Sequence, residues 1–100
     1  MTITKQEEDK KITLALEGWL DVESSPELGA YVKELPETDE LVFDFEKLEY
    51  ISSSGIREVV AAFRSQKSKG LAFRVIHVSP DVMDVFSMTG IDKKIDISGN

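Results

Sequence analysis

Ile51-Ser52-Ser53-Ser54-Gly55-Ile56 is the stretch from which the rest of the chain is read. Ile56, Val59, Val60 and Phe63 follow the i, i+3, i+4, i+7 spacing of an amphipathic helix, which is predicted to run to about Lys69 and to close on Gly70 as a left-handed C′ residue. The three serines therefore stand at a helix N-terminus. There the first backbone N–H groups lack intrahelical partners and the macrodipole is positive. A hydroxyl caps such a helix, and a phosphate on that hydroxyl meets ready donors. Capping is the ordinary role of serine at this position.

Working back from the serines, Glu40-Leu41-Val42-Phe43-Asp44-Phe45 is short, apolar and aromatic, which predicts a central strand with Asp44 as its odd member. Glu46 to Tyr50 reads as the loop between that strand and the serine run. Farther back, Ser24-Ser25-Pro26-Glu27 combines a capping serine with proline in the first turn. It predicts a helix from Pro26 to about Leu35 that buries Leu28, Tyr31, Val32 and Leu35, with Pro36 as a stop. Gly18-Trp19-Leu20-Asp21 reads as a loop before it. Thr2 to Gln6 and Lys11 to Leu16 are expected to be strands of a hairpin turned by Glu7-Glu8-Asp9-Lys10, the second strand alternating Ile12, Leu14 and Leu16 with Thr13, Ala15 and Glu17.

Working forward, Leu71 to Val78 is almost continuously apolar and predicts a strand buried on both faces. Ser79-Pro80-Asp81 repeats the cap-plus-proline signature, and its helix should bury Val82, Val85 and Phe86 and stop at Gly90. Ile95 and Ile97 then supply a short terminal strand. The order β-β-α-β-α-β-α-β implies an α/β fold: one domain over residues 1–100, with a mixed β-sheet and helices packed against it.

Composition narrows the function. With no cysteine and one histidine, the chain has no thiolate nucleophile, no Cys-based zinc site and no His cluster, so no metal or cofactor is expected. His77 reads as a core or strand-end histidine. Gly-x-Ser-x-Gly and the phosphate-binding Gly-x-x-x-x-Gly-Lys-Ser/Thr are absent, which argues against an enzyme and leaves no catalytic residue to name. A formal charge of −7 argues against nucleic acid. No apolar run approaches the roughly 18 residues of a membrane span, and Met1 leads directly into Thr2-Ile3-Thr4-Lys5 without a secretory pattern, so a cytoplasmic protein that binds another protein is expected.

Leu48-Glu49-Tyr50-Ile51-Ser52-Ser53-Ser54-Gly55-Ile56-Arg57, taken with Gly18-Trp19-Leu20-Asp21 and this element order, resembles the STAS domains of bacterial anti-sigma-factor antagonists over nearly the whole chain. The resemblance implies a phosphorylation-controlled switch in transcription regulation. Unphosphorylated, the chain would bind an anti-sigma factor that is also a serine kinase; phosphorylated, it would release that partner until a phosphatase restores it. Register with Gly55 makes Ser53 the phosphorylated residue, with Ser52 and Ser54 as alternatives. The family often has aspartate where this chain has Ser52. Asp21 and Asp44 match acidic positions expected near the serine turn. Trp19, Asp21, Asp44, Ser52, Ser54, Gly55, Ile56 and Arg57 are the partner-binding candidates, and a monomer is favoured. Arg57 and Arg64, with Lys67 and Lys69 beyond, read first as a solvated helix face and alternatively as a basic ridge beside the turn that orients a partner. The alternative is a constitutive STAS subunit of a larger assembly, such as a lipid-transport ABC system.

Overall fold

Strand-forming alternation, helix-forming periodicity and the caps between them resolve into one layer of sheet under one layer of helices. In the computed structural model, which describes residues 1–99, β1 (Thr2–Glu8) turns back on β2 (Lys11–Leu20). α1 (Ser25–Lys33), β3 (Glu40–Ile51), α2 (Ser53–Ser68), β4 (Ala72–Val78) and α3 (Pro80–Thr89) follow. A 3-10 turn, Ile91–Lys93, then leads into β5 (Asp96–Gly99). The five strands lie in sequence order. β1 and β2 are antiparallel, while β2/β3, β3/β4 and β4/β5 are parallel. Each parallel crossover contains a helix, and right-handed crossovers that always step in the same direction place every helix on the same face.

That face holds the core. Phe43 stacks beside Phe45 at 6.3 Å between centroids and meets Phe73 edge-on at 5.0 Å, while Phe45 lies 6.3 Å from Phe86 of α3 and Phe73 lies 6.4 Å from Phe63 of α2. Leu28, Val59, Val82 and Phe86 bring the three helices into the same cluster as Leu14, Phe43 and Phe45. Val42 points to the opposite face, where it is fully buried between its register partners Thr13 and Arg74 and beside the Arg74–Glu40 ion pair. Buried Gln66 ties strand ends together by donating from Nε2 to the Thr38 and Ala72 carbonyls, 3.2 and 2.9 Å away.

α2 ends as the sequence specifies. Gly70 is left-handed (φ 73°), its N–H donates to the Lys67 carbonyl, and the Leu71 N–H reaches back to Gln66 at 2.9 Å, which together form a Schellman closure. Ser79 caps α3 through Val82, and Gly90 ends that helix at φ 76°.

Several expectations are corrected. Asp9 takes the left-handed region (φ 53°), so Asp9-Lys10 suffices as the hairpin turn and Glu7 and Glu8 join β1. α1 stops at Lys33 rather than Leu35, and Ser24 gives it no side-chain cap. β4 is buried chiefly through Phe73, Val75 and Val78, so only one of its faces is closed. Glu46 to Tyr50 is strand, not loop, and β2 extends through Trp19 and Leu20 to pair with it. The reason is local: between Ala15 and Trp19, β3 twice contributes one residue more than β2. These two bulges space the buried side chains Phe45, Leu48 and Ile51 three apart, which matches neither strand nor helix periodicity.

Candidate functional site

The serine turn rests on the carboxyl end of β2. The Ser52 N–H donates to the Leu20 carbonyl at 2.9 Å, the Ser52 hydroxyl accepts the Gly55 N–H at 3.2 Å, and the Ser52 carbonyl accepts the Ile56 N–H at 3.0 Å. Ser52 is thus the N-cap of α2, with extended backbone (φ −95°, ψ 174°), and all three of its polar groups are engaged. Replacing it with alanine is expected to cost about 1 kcal/mol, read as a lower unfolding midpoint in denaturant at unchanged slope.

With the cap supplied by Ser52, Ser53 is the first helical residue and is exposed. Among the described residues no hydrogen bond engages its hydroxyl. Ser54 follows half-buried. Gly55 is buried where the turn meets β2: a Cβ there would lie 2.8 Å from Ile51 Cγ1 and Leu20 Cγ and 2.9 Å from the Leu20 carbonyl oxygen. Ile56 packs against the core, whereas Arg57 is exposed one helical turn beyond Ser53.

Asp21 follows Leu20 directly, but its carboxylate organises its own turn. Oδ1 accepts the N–H groups of Ser24 (3.0 Å) and Glu23 (3.1 Å) and lies 3.0 Å from the Ser24 hydroxyl, which itself accepts the Asp21 N–H. The Ser24 N–H and then the Ser24 hydroxyl hold the Asp21 carboxyl below the usual carboxylate range. A lowered folded-state pKa means that the stabilisation is present above the unfolded-state value and is lost as pH falls through the folded one. The carboxyl-carbon NMR titration of Asp21 is expected to show a midpoint below that of an unstructured aspartate, and Ser24→Ala, which removes the hydroxyl but keeps the backbone N–H, is expected to move it only part of the way back up.

Asp44 does not join this group. It lies within β3 opposite Ala15 and Ile76, and its Oδ1 accepts the Glu46 N–H at 3.0 Å and faces His77 Nδ1 at 3.0 Å. No hydrogen bond links it to the serine turn among the described residues. Of the two expected places for His77, core or strand end, the structure has the second: it stands one residue from the end of β4, partly exposed and facing Asp44, with a left-handed backbone (φ 57°).

Trp19 belongs to strand rather than loop, and it pairs in register with Tyr50. Their rings are 5.1 Å apart and tilted by 40°. Both are open to solvent, Trp19 at 56% and Tyr50 at 44%, and Val22 in the following turn is exposed as well. Neither Tyr50 nor Val22 stands out in the sequence. The exposed pair, two residues before the helix cap, consists of residue types enriched at interface hot spots. The end of the molecule that carries Ser53 thus combines a free hydroxyl, an open helix terminus and a solvent-facing apolar pair.

The fold is shared with several solved proteins. A Thermotoga maritima protein provisionally described as an anti-sigma factor antagonist superposes with a TM-score of 0.87 at 19% identity, over 98% of this chain and 86% of that one. An anti-sigma factor antagonist from Mycobacterium paratuberculosis gives 0.82 at 22% identity, over 99% and 86%. The phosphorylated form of the Bacillus cell fate determinant SpoIIAA gives 0.77 at 18% identity, over 96% and 90%. No curated protein is similar enough in sequence to count as a match. The sequence model of the family described as "Mlab, STAS domain" matches residues 3–97. Because that match spans both the Gly18–Asp21 segment and the serine turn, the chain belongs to the STAS domain family.

Proposed function

We propose that residues 1–100 act as one STAS domain, an anti-sigma-factor antagonist that works by regulated binding rather than by catalysis. In this reading the cytoplasmic monomer binds an anti-sigma factor, itself a serine kinase, while Ser53 is unmodified. Phosphorylation of Ser53 releases that partner, and a phosphatase resets the domain. The single observation that carries the reading is the division of labour in the turn: Ser52 holds the cap, and Ser53 presents an uncommitted, exposed hydroxyl. The antagonists that share the fold, one of them solved in a phosphorylated form, support it.

Phosphorylation adds about −1.5 to −2 charges at the centre of a packed contact. The phosphate has local partners: the unbonded N–H groups of the first helical turn and Arg57 at i+4. The fold therefore accommodates a group that the interface rejects. Ser53→Ala is expected to bind the cognate kinase as tightly as the unmodified chain, and Ser53→Asp to bind at least about tenfold more weakly by calorimetry. Equal affinity of the two variants would overturn the switch. Peptide mass spectrometry of natively produced protein tests the modification directly.

A second reading, the constitutive subunit of a larger assembly such as a lipid-transport ABC system, is favoured by the exposed Trp19–Tyr50 pair, whose apolar surface suits a permanent contact. Co-purification with a transporter ATPase, together with an unmodified mass, would select it.

A further inference from the structure

Along α2, away from the strands, Val60, Phe63 and Arg64 face Ile91, Lys94 and Ile95 across a groove of about 210 Å³. Its floor is apolar and sunken: Ile95 is buried, and Val60, Phe63 and Ile91 are half-buried. Its rim is cationic. Arg64 and Lys94 are exposed on either side, and Lys67 lies over the Phe63 ring with Nζ 5.5 Å from the centroid. None of the three is ion-paired among the described residues, although the chain has 19 Asp and Glu against 12 Lys and Arg. The acid on the 3-10 turn, Asp92, points Oδ2 at the Ser87 hydroxyl of α3, 3.3 Å away.

We infer that this groove is a second docking site, which takes an apolar anchor side chain from an acidic amphipathic helix of a partner protein. The volume is below that of a typical small-molecule pocket but suits one or two aliphatic side chains. A helix that carries such anchors at i and i+4 with carboxylates on its flanks would set them against Arg64, Lys67 and Lys94. An anionic membrane fits less well, because the apolar residues are recessed rather than protruding and the net charge of −7 repels such a surface. The groove begins two helical turns beyond Ser53, so the site does not depend on whether that serine is modified.

The test uses a fluorescein-labelled helical peptide with leucines at i and i+4 and glutamates on their flanks, titrated with the full chain by fluorescence anisotropy. Saturable binding is expected, and it should weaken with added salt. The double variant Arg64→Glu/Lys94→Glu and the single variant Val60→Glu should each weaken it about tenfold or more. Lys10→Glu, at the hairpin, should leave it unchanged. Thermal unfolding of every variant is measured alongside, so that loss of fold is not mistaken for loss of the site. The proposal is overturned if the wild-type chain gives no saturable binding, if the double variant binds as tightly as wild type, or if a scrambled peptide of equal charge binds equally well. It is also overturned if Arg64→Glu/Lys94→Glu instead abolishes co-sedimentation with phosphatidylglycerol vesicles or a self-association seen in the ultracentrifuge.

Discussion

Phe43→Ala is expected to lower the free energy of unfolding by about 3–5 kcal/mol, enough to leave much of the chain unfolded at physiological temperature if the wild type sits low in the usual range of about 5–15 kcal/mol. Phe43 is fully buried in the central strand and contacts aromatic rings on both sides, Phe45 along β3 and Phe73 on β4. Its removal takes away the ring's own transfer energy. It also leaves a cavity that the sheet cannot close, because β3 is held between β2 and β4 by ladder hydrogen bonds. Phe73 loses an edge-on neighbour as well, and through Phe63 the damage reaches α2. Urea denaturation followed by circular dichroism reads the loss. A change below about 1 kcal/mol would mean that the aromatic chain is not the core on which the helices rest. Phe43→Leu, which keeps most of the volume, should recover more than half of the loss.

Gly55→Val is expected to cost about 3 kcal/mol or more, and to do so at the site itself. The glycine is needed for room rather than for backbone freedom, since only Gly18, Gly70 and Gly90 have positive φ among the described glycines. Any Cβ at position 55 would press on Ile51 and Leu20, and one of the three close atoms is a backbone carbonyl that already accepts the Ser52 N–H. Relief requires the first turn of α2 to lift from the end of β2, which breaks that hydrogen bond and displaces Ser53. Gly55→Ala should show the same effect in milder form. The measurement is paired: unfolding free energy, and amide hydrogen exchange at Ser52. Exchange at Ser52 unchanged in Gly55→Val would show that the strain is relieved elsewhere.

What the sequence made legible follows from how locally each element is specified. α2 and α3 could be read because serine, proline, glycine and a 3.6-residue apolar period all act within the element they describe. The place of the serines at the N-terminus of α2 could be read for the same reason: the turn is written in consecutive residues. The second half of β3 could not, because its bulges are defined only against β2, and a buried set at Phe45, Leu48 and Ile51 has no local meaning until the partner strand is in place. Ser24 looked like a cap and instead accepts the Asp21 N–H, a choice made by the turn leaving β2 rather than by α1. The family resemblance implies Asp44 beside the serines, yet strand alternation puts its side chain on the face opposite the helices, where His77 meets it. Tyr50 became notable only when parallel register set it beside Trp19.

The strand order has a consequence for what kind of thing this protein can hold. In open sheets of parallel strands, small ligands lodge in the cleft where the winding direction reverses and helices diverge to opposite faces. Here the strands run β1 to β5 without reversal and the helices never change sides, so the described residues form no such switch-point cleft at the carboxyl edge. That edge is an outward rim formed by Trp19, Tyr50 and the start of α2. A rim of this kind is laid against a partner rather than closed around one, and under the proposed switch a phosphate on Ser53 would change that outer surface without any change of fold.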